Sequence, residues 1–133
     1  MIPTAALRRV ARARLADAET LFRARRYDGA VYLAGYAVEV VLKARMCRTL
    51  HWAGFPDTSK ELEGLRGLHT HDLDVLLRLS GRENRVKSTP ALMAHWSIMA
   101  TWDPGARYRR IGTATAKDAT AMLAAVKQLL RRL

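Results

Sequence analysis

Leu7, Val10, Ala11, Leu15, Ala18, Leu21 and Phe22 recur at steps of three and four, the period of one face of an amphipathic helix. The spacing predicts a helix from about Thr4 to Arg25, with Arg8, Arg9, Arg12, Arg23 and Arg26 mostly off the apolar stripe. Tyr27-Asp28-Gly29 breaks the period, and Asp28 has the side chain of an N-cap for a second helix reaching about Arg48. From Ala30 to Leu42 this second helix is apolar nearly all the way round, so the others are expected to enclose it. Its valines would tolerate a strand, but its length and the small residues Ala30, Ala34 and Ala37 favour a closely packed helix. Gly35 costs about 1 kcal/mol of helix propensity, which a close helix crossing would offset.

Trp52 to Ser59, with Gly54, Pro56 and Asp57, reads as a loop, and Lys60 to Leu65 as a short helical turn. A third helix is predicted from near Thr70 through Leu73, Leu76, Leu77 and Leu79, stopped by Gly81. Arg82 to Lys87 is polar and expected to be exposed. Thr89-Pro90 joins a hydroxyl N-cap to a proline at the first helical position, the start of a helix to about Trp102. Asp103-Pro104-Gly105 ends it, and Ala106 to Gly112 follows as a basic loop. The last helix starts near Thr113 or Thr115, with Ala119, Met122, Leu123, Val126, Leu129, Leu130 and Leu133 on one stripe. Together these elements predict an all-α, four- to five-helix up-down bundle, one domain over residues 1–133.

Composition sharpens this picture. Half the residues are apolar and only 4 are proline, which excludes disordered and low-complexity classes. The first residues lack the pattern of a secretory signal, and Ala30 to Leu42 falls short of the ~20 apolar residues a bilayer requires, so a cytoplasmic chain with no membrane partner is expected. Cys47 is the only cysteine, which excludes an internal disulfide or a Cys-rich zinc site and favours a buried, inert thiol. The 23 Lys and Arg against 12 Asp and Glu give a net charge of +11, and 18 of the cations are arginine. Such an excess attracts polyanions, and the planar arginine fork suits phosphate, although arginines also simply solvate helix faces.

Three places carry candidate chemistry. Glu39 is an ionisable group inside an apolar helix and needs a cation, for which Lys43, four residues on, and Arg107 are the candidates. A structural ion pair is the favoured reading over a catalytic carboxylate. Arg66 and His71 supply the minimum parts of a metal-independent ribonuclease, a phosphate holder and a proton carrier, but an ordinary helix start explains Thr70, His71 and Asp72 as well. His69 and His71 lack a third ligand nearby for zinc. Arg107, Tyr108, Arg109 and Arg110, with Trp102 before them, combine cations with rings able to stack on a base, unless Trp102 and Tyr108 instead anchor the loop to the core. No cofactor motif is present.

Three ordered segments resemble the HEPN family of helical bundles. Tyr36-Ala37-Val38-Glu39-Val40-Val41-Leu42-Lys43-Ala44, after Arg26-Tyr27-Asp28-Gly29-Ala30, is similar to the family's Glu-x-x-Leu-Lys-Ala helix. His71-Asp72-Leu73-Asp74-Val75-Leu76-Leu77 is similar to its His-x-Leu-x-x-Leu-Leu segment. Arg107-Tyr108 followed by Thr115-Ala116-Lys117-Asp118-Ala119 is similar to its Arg-Tyr turn and last helix. The resemblance implies a homodimer with a basic groove, an association with nucleotides or RNA, and a nucleotidyltransferase partner, in some members as toxin and antitoxin. The ribonuclease branch carries a histidine shortly after its arginine. Here Gly112, Thr113 and Ala114 fill those positions, while Arg66 and His71 satisfy the spacing within the segment similar to the family's His-x-Leu element. The expectation is therefore a nucleotide- or RNA-binding module that contacts phosphate through Arg107 and its neighbours. A metal-independent endoribonuclease using Arg66 and His71 and a protein-interaction adaptor are the alternatives.

Overall fold

The apolar stretch after Tyr27 forms the centre of the molecule. In the computed structural model, which describes residues 1–133, it is helix α2 (Tyr27–Thr49), preceded by α1 (Thr4–Arg23) and followed by α3 (Leu73–Leu79), α4 (Glu83–Ser88), α5 (Pro90–Met99) and α6 (Ala116–Arg132). Helix α2 buries 13 of its 23 residues, because α1, α6 and α3 pack around it and leave no polar face to water along Ala37–Ala44. One hydrophobic cluster of 26 residues runs from Leu7 to Leu133 and draws on all six helices. Leu42, Leu76 and Leu77 are fully buried within it, each contributing about 2 kcal/mol relative to exposure. No helix is long and apolar enough to cross a membrane.

The all-α bundle predicted from the sequence is present, with six helices in place of four or five. The extra one is α4: the segment expected to be polar and exposed is a helix that turns Val86 fully inward. A single apolar residue in a six-residue helix leaves no period to detect. Ile2–Pro3 (β1) and Gly54–Phe55 (β2) pair antiparallel and tie the chain start to the loop after α2. Lys60–Leu65 forms consecutive hydrogen-bonded turns, in keeping with the short helical turn expected there. On α1, Val10 is 42% exposed although it falls on the predicted stripe.

Helix boundaries show which side chains cap and which do other work. Asp72, and not Thr70 or His71, caps α3, accepting from the amides of Asp74 and Val75. Thr115 and Asp118 form a reciprocal capping box on α6. Thr89 occupies the N-cap of α5 without a side-chain bond, and α5 ends at Met99, short of Trp102. Gly81 ends the turn after α3 at φ +73°, a conformation glycine adopts without a steric penalty. Beside it, Thr49 donates to the Ser80 carbonyl at 2.6 Å and seats the α3–α4 junction on the end of α2.

Candidate functional site

The loop between α5 and α6 is held at both ends by residues that the hydrophobic pattern does not reveal. Trp102 is buried, stacked on Tyr32 at 6.2 Å and edge-on to Tyr36 at 6.5 Å, and its indole N–H donates to the Tyr32 carbonyl. Gly35 makes this possible: a Cβ there would lie 2.3 Å from the indole ring. The glycine expected to admit a close helix crossing instead admits this ring. At the far end, Asp28 accepts from the amides of Gly112 and Ala114 at 2.7 and 2.8 Å, so it pins the loop rather than capping α2. Those two bonds hold its carboxyl below the usual carboxylate range.

Between these anchors the chain makes a 3₁₀ turn at Pro104–Tyr108, capped by Asp103, whose carboxylate also pairs with Arg109. Arg107 lies over the Tyr108 ring at 4.8 Å from its centroid. The Tyr32 phenol first, then Tyr108, raises the pKa of Arg107, although no hydrogen bond of full geometry joins it to Tyr32. Neither Arg107 nor Arg110 has a carboxylate partner, Tyr108 is 80% exposed and Ile111 93%. Beneath the loop lies a cavity of about 440 Å³ walled by Trp102, Arg109, Thr113 and Met122 among others, a size suited to a small ligand. Of the five residues expected to bind, Arg107, Tyr108, Arg109 and Arg110 stand together on the surface. Trp102 supports them from inside and offers no face to a base.

Glu39 lies on the same central helix, with 1% of its side chain exposed. Its Oε1 accepts from Lys43 Nζ at 2.8 Å, and His71 Nδ1 lies 2.8 Å from the same oxygen. Arg107, the other cation considered for it, makes no ion pair with Glu39. The histidine is the partner that sequence reasoning missed, because 32 residues separate the two and no local spacing connects them. A carboxylate only accepts, so Nδ1 carries the hydrogen, and in the neutral ring Nε2 is then left as the acceptor. The other carboxylate oxygen, Oε2, is buried without a partner. His69 sits edge-on to His71 with centroids 6.4 Å apart, and Lys43 lies over the Phe55 ring at 5.3 Å. Arg66 is exposed on its own 3₁₀ turn, Arg66–Leu68, with no ion pair.

The family model described as HEPN domain matches residues 4–133, nearly the whole chain. The chain belongs to the HEPN family. No curated protein and no solved structure matches it. HEPN membership agrees with the all-helical fold and with the three segments picked out above: Glu39 with Lys43 on α2, His71 leading into α3, and Arg107-Tyr108 ahead of α6. In this HEPN domain the first two converge in space through the Glu39–His71 contact. The third stands on the pinned loop near the start of α2, where Asp28 holds Gly112 and Ala114.

Proposed function

We propose that this HEPN domain binds the phosphates of a nucleotide or RNA through the α5–α6 loop and works with a nucleotidyltransferase partner, in a toxin and antitoxin pair. One observation carries the binding assignment. Arg107 and Arg110, both without carboxylate partners, flank the exposed ring of Tyr108 on a loop fixed at Trp102 and Asp28. A loop already fixed at both ends costs little backbone ordering on binding, and the face of Tyr108 that Arg107 leaves open gives a base a stacking surface. The partner protein rests on the family resemblance alone. The test is titration of labelled single-stranded RNA with the parent and an Arg107→Ala variant over a range of salt. Loss of one phosphate contact should weaken binding and flatten the salt dependence by about 0.7 of slope for a single strand. Identical affinity and slope in the two proteins would sink the assignment.

A second reading has its own observation. Glu39 holds His71 by Nδ1, the arrangement that leaves Nε2 available as a general base, so a metal-independent ribonuclease has an acid–base pair to draw on. Arg66 contributes no contact to that pair. RNA cleavage in EDTA that disappears in His71→Ala, with binding retained, would establish this reading.

A further inference from the structure

At the opposite end of α2 from the loop, six arginines collect from three helices: Arg8 and Arg12 on α1, Arg45 and Arg48 on α2, and Arg82 and Arg85 at the start of α4. The Thr49–Ser80 bond brings α4 to this end of α2, and the Arg8 guanidinium reaches the Leu133 carbonyl, drawing in the end of α6. None of the six pairs with a carboxylate; the nearest carboxylates, Glu83 on α4 and Glu19 on α1, pair with Lys87 and Lys127 instead. Arg45 and Arg82 are partly covered, and each has a buried Nε with no hydrogen-bond partner. Neighbouring charge is repulsive: after burial, Arg82, Arg48, Arg8 and Arg85 together hold the Arg45 pKa below its ordinary value, and Arg48 and Arg12 do the same to Arg8. Unrelieved like charge of this kind costs stability in the free protein, and a bound polyanion removes that cost.

We propose that this arginine cluster is a second phosphate-binding surface, separate from the α5–α6 loop, that takes the sugar–phosphate backbone of a polynucleotide strand. Three features select that ligand. All six cations are arginines and none is one of the 5 lysines, so each offers the forked donor geometry that grips a phosphate through two oxygens. Arg8 and Arg12 also line a groove of about 450 Å³ between α1 and α6, with Arg131 on its other wall and the Glu19–Lys127 ion pair joining the two walls farther along. A strand can enter a groove, whereas a flat bilayer surface reaches only its rim. No aromatic residue lines that groove, so it reads backbone and not sequence. On α2, Asp28 and Arg48 are about 30 Å apart at 1.5 Å per residue. A dinucleotide therefore cannot touch both surfaces, while a strand of about 30 nucleotides can.

This site extends the proposed function to longer strands and fails independently of it. The probes are a labelled dinucleotide and a labelled single-stranded RNA of about 30 nucleotides, titrated against the parent, Arg48→Gln/Arg85→Gln and Arg107→Ala. The double variant should bind the long strand about tenfold more weakly, with the salt slope flattened by about 1.4, and should bind the dinucleotide like the parent. Arg107→Ala should lose affinity for both probes. Unchanged long-strand binding in the double variant overturns the cluster and leaves the loop standing; unchanged binding of both probes in Arg107→Ala overturns the loop and leaves the cluster. Thermal melting supplies the folding control. Removing two mutually repelling cations should keep or raise Tm, and inorganic pyrophosphate should raise the Tm of the parent more than that of the double variant. Equal pyrophosphate shifts would contradict the site. So would anionic phospholipid vesicles that bind through Arg48 and Arg85 while long RNA does not.

Discussion

Glu39 shows how one side chain can tie a distant segment to the core. Its carboxylate is buried at the centre of α2 and meets Lys43 from one turn away and His71 from the approach to α3. Replacing it with alanine leaves the mostly buried Lys43 ammonium without its partner, so Glu39→Ala should cost about 3 kcal/mol. Denaturant unfolding checks this against the exposed Glu63→Ala, and equal midpoints would show that the pair carries no weight. Gly35 gives a second test. A methyl group at that position would overlap the Trp102 indole, so Gly35→Ala should lose about 2 kcal/mol despite alanine's higher helix propensity. A stabilised Gly35→Ala protein would mean that Trp102 is not seated as described. The sequence marks Glu39, Lys43 and Gly35 as unusual because each breaks an apolar helical pattern. Of what meets them it shows only the local part: the Glu39–Lys43 pair follows from spacing, while the contacts with His71 and Trp102 arise only once distant segments fold together.

At the scale of elements, legibility follows length. Helices α1, α2 and α6 each span 17 residues or more, enough for several turns of the apolar period, and the sequence places all three within a few residues. Helix α4 and the β1–β2 pair are too short to show a period, and tertiary packing decides them. The α5–α6 loop is legible as basic, but its anchoring is not, because Asp28 has the look of an N-cap and serves as a clamp across 84 residues. That clamp has a pH signature. The folded state holds the Asp28 carboxyl below its unfolded value near 3.9, so the stabilisation is present above about pH 4 and disappears as pH falls through the lowered folded value. Asp28→Ala should therefore lower Tm by a few degrees at pH 7, with the gap from the parent closing as pH falls through the lowered folded value. A gap of constant size across that range would show that the charge on Asp28 plays no part.

For the whole molecule, HEPN membership and the helical bundle stand on the match over residues 4–133 and on the fold itself. The charge of +11 resolves into at least two separate basic surfaces, which no count of arginines along the chain reveals. We also predict a homodimer, on the strength of the family resemblance: light scattering should give about twice the 14.9 kDa chain mass, and a clean monomer at micromolar concentration would contradict it. Under the proposed function, the protein holds RNA or nucleotide phosphates through the Arg107 loop without cutting the strand. Incubating labelled single-stranded RNA in EDTA with the parent, Arg107→Ala and His71→Ala proteins, and following binding and cleavage together, tests it most directly. The strand should stay intact with all three, bound by the parent and by His71→Ala and held markedly more weakly by Arg107→Ala. Cleavage by the parent that is lost in His71→Ala, or equal binding by the parent and Arg107→Ala, would contradict it.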